Sequence, residues 1–284
     1  MFWLVLVGVL AISSASILIR LTPADPLAIV FWRLAIATAI VLAGAGGLPR
    51  GRALYLSMAS GVLLAAHFLS WIPSLFLTTV AASTTLVNIH PVLMLFLSRA
   101  IGERINRNTA AGVLTATAGS VAITFSPGGL VGNLLALAGA ASFAGYLALG
   151  RVVRASVGTF SYAAVAYGVA AMVALAVGLA AGVNMFHYDV YTYVMFLLVA
   201  SIPMMLGHTV FNYLLGRYRA VTIAASTLGE PIGATLLAVP ILGELPVGAV
   251  EVAGVEVPML ALGIFATLAG LSLVVREEIK NVRQ

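Results

Sequence analysis

Residues 53–98 read ALYLSMASGVLLAAHFLSWIPSLFLTTVAASTTLVNIHPVLMLFLS and carry no charged side chain. A bilayer core needs about 20 apolar residues for each helix that crosses it, so this run is long enough for two crossings. Pro73, Ser74 and Thr78 interrupt the run near its middle. The rest of the chain is similar, with 62% hydrophobic and 8% charged residues and a mean hydropathy of +1.13. This composition predicts an all-α membrane protein and excludes a water-soluble domain.

The remaining apolar runs, divided in the same way by charged and turn-forming residues, predict ten transmembrane helices. These spans lie near residues 2–20, 27–48, 53–74, 80–99, 108–126, 131–151, 159–182, 190–215, 220–242 and 257–275.

Basic residues orient these spans, because twelve of the fourteen Lys and Arg residues fall in alternate gaps between them. The twelve are Arg50, Arg52, Arg99, Arg104, Arg107, Arg151, Arg154, Arg217, Arg219, Arg276, Lys280 and Arg283. The opposite side holds only Arg20. Cytoplasmic loops are enriched in Lys and Arg, so we expect both termini in the cytoplasm. The basic net charge then reports topology in a lipid bilayer, and no nucleic-acid partner is expected.

An internal repeat is indicated by a shift of about 131 to 141 residues, which superposes the two halves of the chain. The shift pairs Arg20 with Arg151, His67 with His208, His90-Pro91 with Glu230-Pro231, and Gly102-Glu103 with Gly243-Glu244. We expect two five-helix units, residues 1–127 and residues 128–284. Since five is odd, the second unit crosses the membrane in the opposite sense, and the repeats are inverted. Inverted repeats are common in alternating-access transporters and also occur in channels.

Glu230 is the only carboxylate placed deep in a predicted span. It lies about ten residues into that span, which at about 1.5 Å per residue is roughly 15 Å, near the bilayer centre. A carboxyl group there favours its neutral form, which suits it to carry a coupling proton or to meet a cationic group of a substrate. The structural alternative is a protonated Glu230 that caps carbonyls freed by Pro231. Pro91 and Pro231 lie at matching depths, and each is expected to act as a hinge or as a plain kink.

Other polar residues in the predicted spans have two interpretations each. Arg33 either extends to the lipid headgroups or attracts an anionic group in an outer vestibule. His67 and Trp71 are one helical turn apart, as are His208 and Asn212, so each pair is expected to share a helix face. The two His residues either face a cavity or are neutral core residues.

Three further residues complete the candidate set. Asn88 points away from His90 and is expected to bond across helices. Tyr146 either stacks on an aromatic ligand or fills the core, and Ser14 permits close helix packing. The candidate substrate-binding or coupling residues are therefore Glu230, His67, Trp71, His90, Asn88, His208, Asn212, Tyr146, Arg33 and Ser14.

The chain resembles the EamA-type permeases of the drug/metabolite transporter superfamily over nearly its whole length. The matching stretches are Trp32-Arg33, Pro91 to Gly102-Glu103-Arg104, Leu134 to Arg151, and Leu228-Gly229-Glu230-Pro231 to Gly243-Glu244. This resemblance implies ten spans in two repeats and export of small solutes. His90 and the two His residues of spans three and eight depart from the family pattern, which leaves the substrate class open.

We therefore expect a secondary-active transporter in a prokaryotic inner membrane that exports amino acids or similar small metabolites by alternating access, with a proton as candidate coupling ion. Spans one, three, four, six, eight and nine are expected to surround the substrate cavity. A passive facilitator or channel for small polar solutes is the first alternative, and an intramembrane enzyme is the second. The sequence has no HExxH motif, no nucleotide-binding loop and no Cys, so no catalytic residue, metal or cofactor is expected. The oligomeric state stays open.

Overall fold

The computed structural model describes residues 2–123, 129–244, 249–252 and 255–283. The helices are α1 (Phe2–Ser13), α2 (Ala15–Arg20), α3 (Pro26–Ala43), α4 (Gly51–Leu77), α5 (Val80–Val87), α6 (His90–Ala100), α7 (Arg107–Ile123), α8 (Leu130–Arg154), α9 (Thr159–Ala180), α10 (Val190–Val199), α11 (Val210–Leu215), α12 (Ala220–Ser226), α13 (Glu230–Leu242) and α14 (Met259–Arg283). A π-helical segment, Ala200–Thr209, joins α10 to α11, and a 3₁₀ turn, Thr227–Gly229, joins α12 to α13.

Eight helical stretches in the described part of the chain are long and apolar enough to cross a bilayer. They are Trp3–Arg20, Pro26–Ala43, Gly51–Leu77, Val80–Ala100, Leu130–Arg154, Thr159–Ala180, Val190–Leu215 and Ala220–Leu242. Ten spans were predicted. The other two predicted spans correspond to α7, which has 17 described residues, and to α14, whose last part from Arg276 onward is charged. The part of the fifth predicted span at residues 124–126 lies outside the described residues.

The predicted all-α class is confirmed, because the described elements are helical apart from one short hairpin. Strands β1 (Ala249–Val252) and β2 (Val255–Pro258) form an antiparallel hairpin between α13 and α14. All the other described elements are helical.

Four of the crossing stretches are interrupted rather than continuous. Trp3–Arg20 is broken at Ser14, and Val80–Ala100 at Asn88 and Ile89. Ala220–Leu242 is broken at the 3₁₀ turn before Glu230. Pro91 and Pro231 each occupy the first turn of the helix that follows a break, where a missing backbone N–H costs no hydrogen bond. The helix breaks therefore lie directly before the two prolines, and a hinge at either one stays a prediction. The fourth interrupted stretch is Val190–Leu215, which contains the π-helical segment with Pro203. This interruption was not predicted.

Close helix packing depends on glycines whose lack of a side chain admits a neighbouring backbone. A Cβ atom on Gly61 of α4 would lie 2.6 Å from the carbonyl oxygen of Ala166 in α9. One on Gly270 of α14 would lie 2.4 Å from the backbone of Gly112 and Ala116 in α7. The described core is therefore centred on α4 with α8 and α9 beside it, and α7 and α14 form a separate tight pair.

Candidate functional site

A small cavity of about 20 Å³, room for about one water molecule, lies among the broken helices. Its lining residues are Ile12, Ala15, His67, Trp71, Val87, Asn88, His90, Phe143, His208, Phe211, Thr227 and Glu230. They come from predicted spans one, three, four, six, eight and nine, which are the six spans expected to surround a cavity. The cavity is closed in this conformation, because Asn88, His90 and Glu230 are only 1%, 2% and 7% exposed.

Aromatic rings form most of the cavity wall, with Phe143 of α8 at their centre. The centroids of the His67, His90 and His208 rings lie 4.5, 4.7 and 5.5 Å from the Phe143 centroid. Trp71 stacks on His67 at 5.8 Å with an interplanar angle of 11°. Thus the shift-related His67 and His208 meet in the same cavity, with their centroids 6.3 Å apart. The wall can bind a flat or cationic solute through stacking and cation–π contacts.

The imidazoles are held by hydrogen bonds to their surroundings. His67 Nδ1 lies 3.0 Å from the Gly139 carbonyl oxygen, and His90 Nδ1 lies 2.9 Å from that of Val87. His90 Nε2 lies 3.2 Å from the Thr227 hydroxyl, which belongs to the 3₁₀ turn before Glu230. No group of three His, Asp or Glu side chains in the described part of the chain could hold a metal ion.

A hydrogen bond between Asn88 and Glu230 connects the two helix breaks that precede Pro91 and Pro231. The Asn88 Nδ2 group donates to Glu230 Oε2 at 3.1 Å and to the Thr84 carbonyl at 2.8 Å. Asn88 therefore bonds across helices, as expected, and it holds the carboxyl group at the cavity wall.

Two polar atoms at the cavity have no hydrogen-bond partner among the described residues. They are Trp71 Nε1, a donor, and Asn88 Oδ1, an acceptor. A buried polar group without a partner costs about 1–3 kcal/mol, so these atoms favour a ligand or water that pairs with them. One donor and one acceptor at the same cavity match a solute that carries both kinds of group.

The surroundings of the Arg33 side chain differ from both that were predicted. Its side chain is completely buried, with its guanidinium carbon 4.1 Å from the centroid of the Phe68 ring and Nη2 3.7 Å from Met204 Sδ. Its Nε and Nη1 atoms find no partner within the described chain. Both predictions, a headgroup contact and a water-exposed vestibule, are wrong because α4 and the π-helical segment pack over α3 at this point. Phe68, which contacts both Arg33 and His208, separates the guanidinium from the cavity wall.

Asn212 and Tyr146 lie behind the cavity in a network of buried hydroxyls. Tyr146 OH is 2.9 Å from Asn212 Oδ1, and Asn212 Nδ2 donates to Tyr167 OH at 2.9 Å. Tyr167 OH lies 3.0 Å from the Thr209 hydroxyl. The Tyr146 ring stacks on Phe143 at 5.6 Å, so this network supports the cavity wall from behind.

His208 and Asn212 share a face toward α8, as predicted, because His208 packs against Phe143 and Asn212 bonds to the hydroxyl of Tyr146, which stacks on Phe143. Of the two, His208 lines the cavity, whereas Asn212 bonds to the tyrosine hydroxyls and is absent from the lining. Ser14 is also absent from the cavity lining, since its hydroxyl donates to the Ala11 carbonyl of its own helix at 2.8 Å.

Sequence reasoning missed Thr227 and the tyrosine network, to which Tyr162 and Ser60 also belong through a 2.6 Å contact between their hydroxyls. Buried hydroxyls in apolar helices give no periodic signal. The preceding Pro203 was the only indication of an irregular helix near Thr209.

The fold and the cavity define a multi-pass membrane protein whose broken helices enclose a polar, aromatic-lined chamber, an arrangement typical of solute transporters. The sequence model of the EamA-like transporter family matches residues 1–125 and residues 130–276. The chain belongs to the EamA-like transporter family, and the predicted resemblance is confirmed. It is a membrane transporter of small solutes, surrounded by membrane lipid; members of this family are generally not enzymes.

A solved crystal structure of a protein is similar to the chain over its length. The TM-score is 0.74 and the sequence identity 18%, and the match covers 98% of this chain and 97% of that one. At this identity the similarity concerns the fold alone. No curated protein sequence matches the chain.

Proposed function

We propose that this protein is a secondary-active transporter that exports amino acids or similar small metabolites across a prokaryotic inner membrane by alternating access. The observation that carries the proposal is the closed cavity at the two helix breaks. It combines an ionisable carboxyl group with one donor and one acceptor that have no partner among the described residues. The position of Glu230, about ten residues from the start of the Ala220–Leu242 stretch, corresponds to roughly the middle of a bilayer.

The chemistry of the cavity fits an amino acid. The ammonium group would bind between the Glu230 carboxylate, Asn88 Oδ1 and the aromatic rings, which attract cations. The substrate carboxylate would accept a hydrogen bond from Trp71 Nε1. Glu230 cannot hold a substrate ammonium group and a proton together, so exchange of one for the other would couple export to proton entry.

Ten spans in two inverted units are part of this proposal. The end of α14 meets the start of α7, where Asn106 Nδ2 donates to Glu277 Oε2 at 2.6 Å, and glycines pack the two helices together along their lengths. Both helices would therefore cross the same membrane as the other eight stretches. The family model matches two ranges, 1–125 and 130–276, and the interval between them falls at the proposed boundary between residues 1–127 and residues 128–284. The Lys and Arg distribution supports cytoplasmic termini.

The test is uptake into proteoliposomes of labelled amino acids, nucleosides and sugars, with and without an imposed pH gradient. We expect the gradient to drive accumulation of one or more amino acids. Glu230→Gln retains an oxygen that accepts from Asn88 but cannot ionise, so accumulation should be lost while the protein stays folded. Glu277→Gln is the matched control, because this carboxyl group lies at the end of α14 away from the cavity lining.

Three results would change the proposal. Equilibration without accumulation would identify a passive facilitator or channel. Accumulation of only nucleosides or sugars would replace the substrate class. Normal gradient-driven accumulation by Glu230→Gln would exclude Glu230 as the coupling residue.

A further inference from the structure

Four helix ends meet at one end of the helix bundle through a charged pair. Arg20 Nη1, at the end of α2, lies 3.5 Å from Glu244 Oε1 and donates to the Leu75 carbonyl of α4 at 2.7 Å. Glu244, which follows α13, accepts from the backbone N–H of Val80, the first residue of α5, at 2.9 Å. We call Arg20, Leu75, Val80 and Glu244 the first end cluster.

A second charged pair joins four helix ends at the opposite end. Arg151 of α8 donates from Nε to Glu103 Oε1 at 2.9 Å and from Nη1 to the Leu215 carbonyl of α11 at 2.9 Å. Glu103, which follows α6, accepts from the backbone N–H of Ala220, the first residue of α12, at 2.9 and 3.0 Å. We call Glu103, Arg151, Leu215 and Ala220 the second end cluster. Ala220 and Glu244 lie at the two ends of one crossing stretch, so the clusters lie on opposite sides of the membrane.

The two clusters have the same construction. In each, an Arg at the end of a repeat's first span pairs with a Glu that follows a Gly after the other repeat's fourth span. The Arg donates to a carbonyl at the end of the third span of its own repeat, and the Glu accepts from the first residue of that repeat's fourth span. Each cluster therefore ties three helix ends of one unit to one helix end of the other.

Each cluster holds together the ends of helices from the spans that line the cavity. Helices α2, α4, α5 and α13 meet in the first end cluster, and α6, α8, α11 and α12 meet in the second. Both pairs reach solvent, since the Arg20 and Arg151 side chains are 30% and 27% exposed. Water can therefore compete for either pair, whereas the cavity between them is closed.

From this geometry we infer that the two clusters are the two gates of the transporter, which open one at a time. Breaking the pair of Arg20 and Glu244 frees the spans at the first end and exposes the cavity there. Breaking the pair of Glu103 and Arg151 exposes it at the second end. This inference rests on the proposed alternating access, and it assigns gating roles to residues outside the cavity.

Cysteine accessibility tests the gates directly, because the natural chain contains no Cys. The single-thiol variant Ala15→Cys places its thiol in the cavity lining at a residue that is 1% exposed. A membrane-impermeant trimethylammonium methanethiosulfonate is applied to right-side-out and to inside-out vesicles, and the labelling rate is measured by mass spectrometry. The unmodified gates should give slow labelling from both sides.

Each gate variant should raise the labelling rate from one side only. In the Ala15→Cys background, Glu244→Gln should raise labelling from the side of the first end cluster by about tenfold, the change expected from losing one charge-assisted hydrogen bond. Glu103→Gln should do so from the opposite side. Glu277→Gln, whose carboxyl group belongs to neither cluster, should leave both rates unchanged.

Glu244→Ala, which removes the acceptor for the Val80 N–H as well as the charge, is measured beside Glu244→Gln. Equal increases from both sides, or no increase in either variant when it is folded and has a normal size-exclusion profile, would overturn the inference. Labelling needs no substrate. One-sided labelling therefore supports the gates even if amino-acid flux fails, and normal flux with unchanged labelling refutes the gates alone.

Discussion

Replacing Arg33 by Met should stabilise the fold, because it removes a buried cation most of whose nitrogen atoms are unpaired among the described residues. Arg33 is completely buried, and two of its three nitrogen atoms, Nε and Nη1, have no partner within the described chain. Each unpaired group costs about 1–3 kcal/mol, or about 2–6 kcal/mol for the two. The cation–π contact with Phe68 returns about 2 kcal/mol in a desolvated site. The difference is a net gain of about 0–4 kcal/mol, with a central value of about 2 kcal/mol, for a Met of similar length.

A gain of this size should raise the unfolding midpoint by roughly 5 °C, since about 1 kcal/mol shifts it by about 2–4 °C in a chain of this size class. Thermal unfolding in detergent, followed by the fluorescence of the three Trp residues, measures the shift. Arg154→Met is the matched control. Arg154 is also buried, but its Nε donates to the Asn212 carbonyl at 2.9 Å and its Nη1 to the Val157 carbonyl, so its replacement should lower the midpoint.

A lower midpoint for Arg33→Met, similar to that of Arg154→Met, would refute the reasoning. It would mean that Arg33 has partners that the closed conformation does not contain. If the stabilised variant also loses transport, Arg33 serves transport and lowers the stability of the fold, a combination that is common at functional sites.

Three further predictions concern packing, the buried hydroxyls and a helix cap. Gly270→Ala should destabilise the α7–α14 pair by about 1–3 kcal/mol, because the new Cβ would lie 2.4 Å from the α7 backbone; Gly168→Ala, with its nearest neighbour 3.5 Å away, should be neutral or stabilising in the same thermal assay. Tyr167→Phe removes a hydroxyl that bonds to Asn212 and should cost about 1–3 kcal/mol, whereas an unchanged midpoint would show that the network adds no stability. Asp189→Ala should lower hydrogen-exchange protection in the first turn of α10, because Asp189 caps that helix at 2.8 Å from the Thr192 N–H. Hydrogen bonds from the Thr192 hydroxyl and then from its N–H lower the pKa of Asp189, so their stabilisation should be present above the ordinary Asp pKa of about 3.9 and lost as the pH falls through the lowered value. Equal protection of both proteins at neutral pH would contradict the capping role.

The sequence determined the membrane class, the approximate limits of the eight crossing stretches in the described chain, and the two breaks before Pro91 and Pro231. These features are local, because the length of an apolar run and the missing N–H of a proline act within one segment of chain. It also indicated which six spans meet at the cavity, since the repeat relates the two halves. The bond between Asn88 and Glu230 was predicted in part: the sequence indicated that Asn88 bonds across helices, but not that Glu230 is its partner.

The rotation of each helix about its axis and the neighbours that cover it depend on the tertiary structure. Arg33 is buried because α4 and the π-helical segment close over it, and Asn212 lies outside the cavity lining because its side chain bonds to the Tyr146 and Tyr167 hydroxyls. The two end clusters join residues more than a hundred positions apart, with Glu244 held against Val80 and Glu103 against Ala220. Contacts of this kind depend on the packing of all the helices at once, so no periodicity in a single segment contains them.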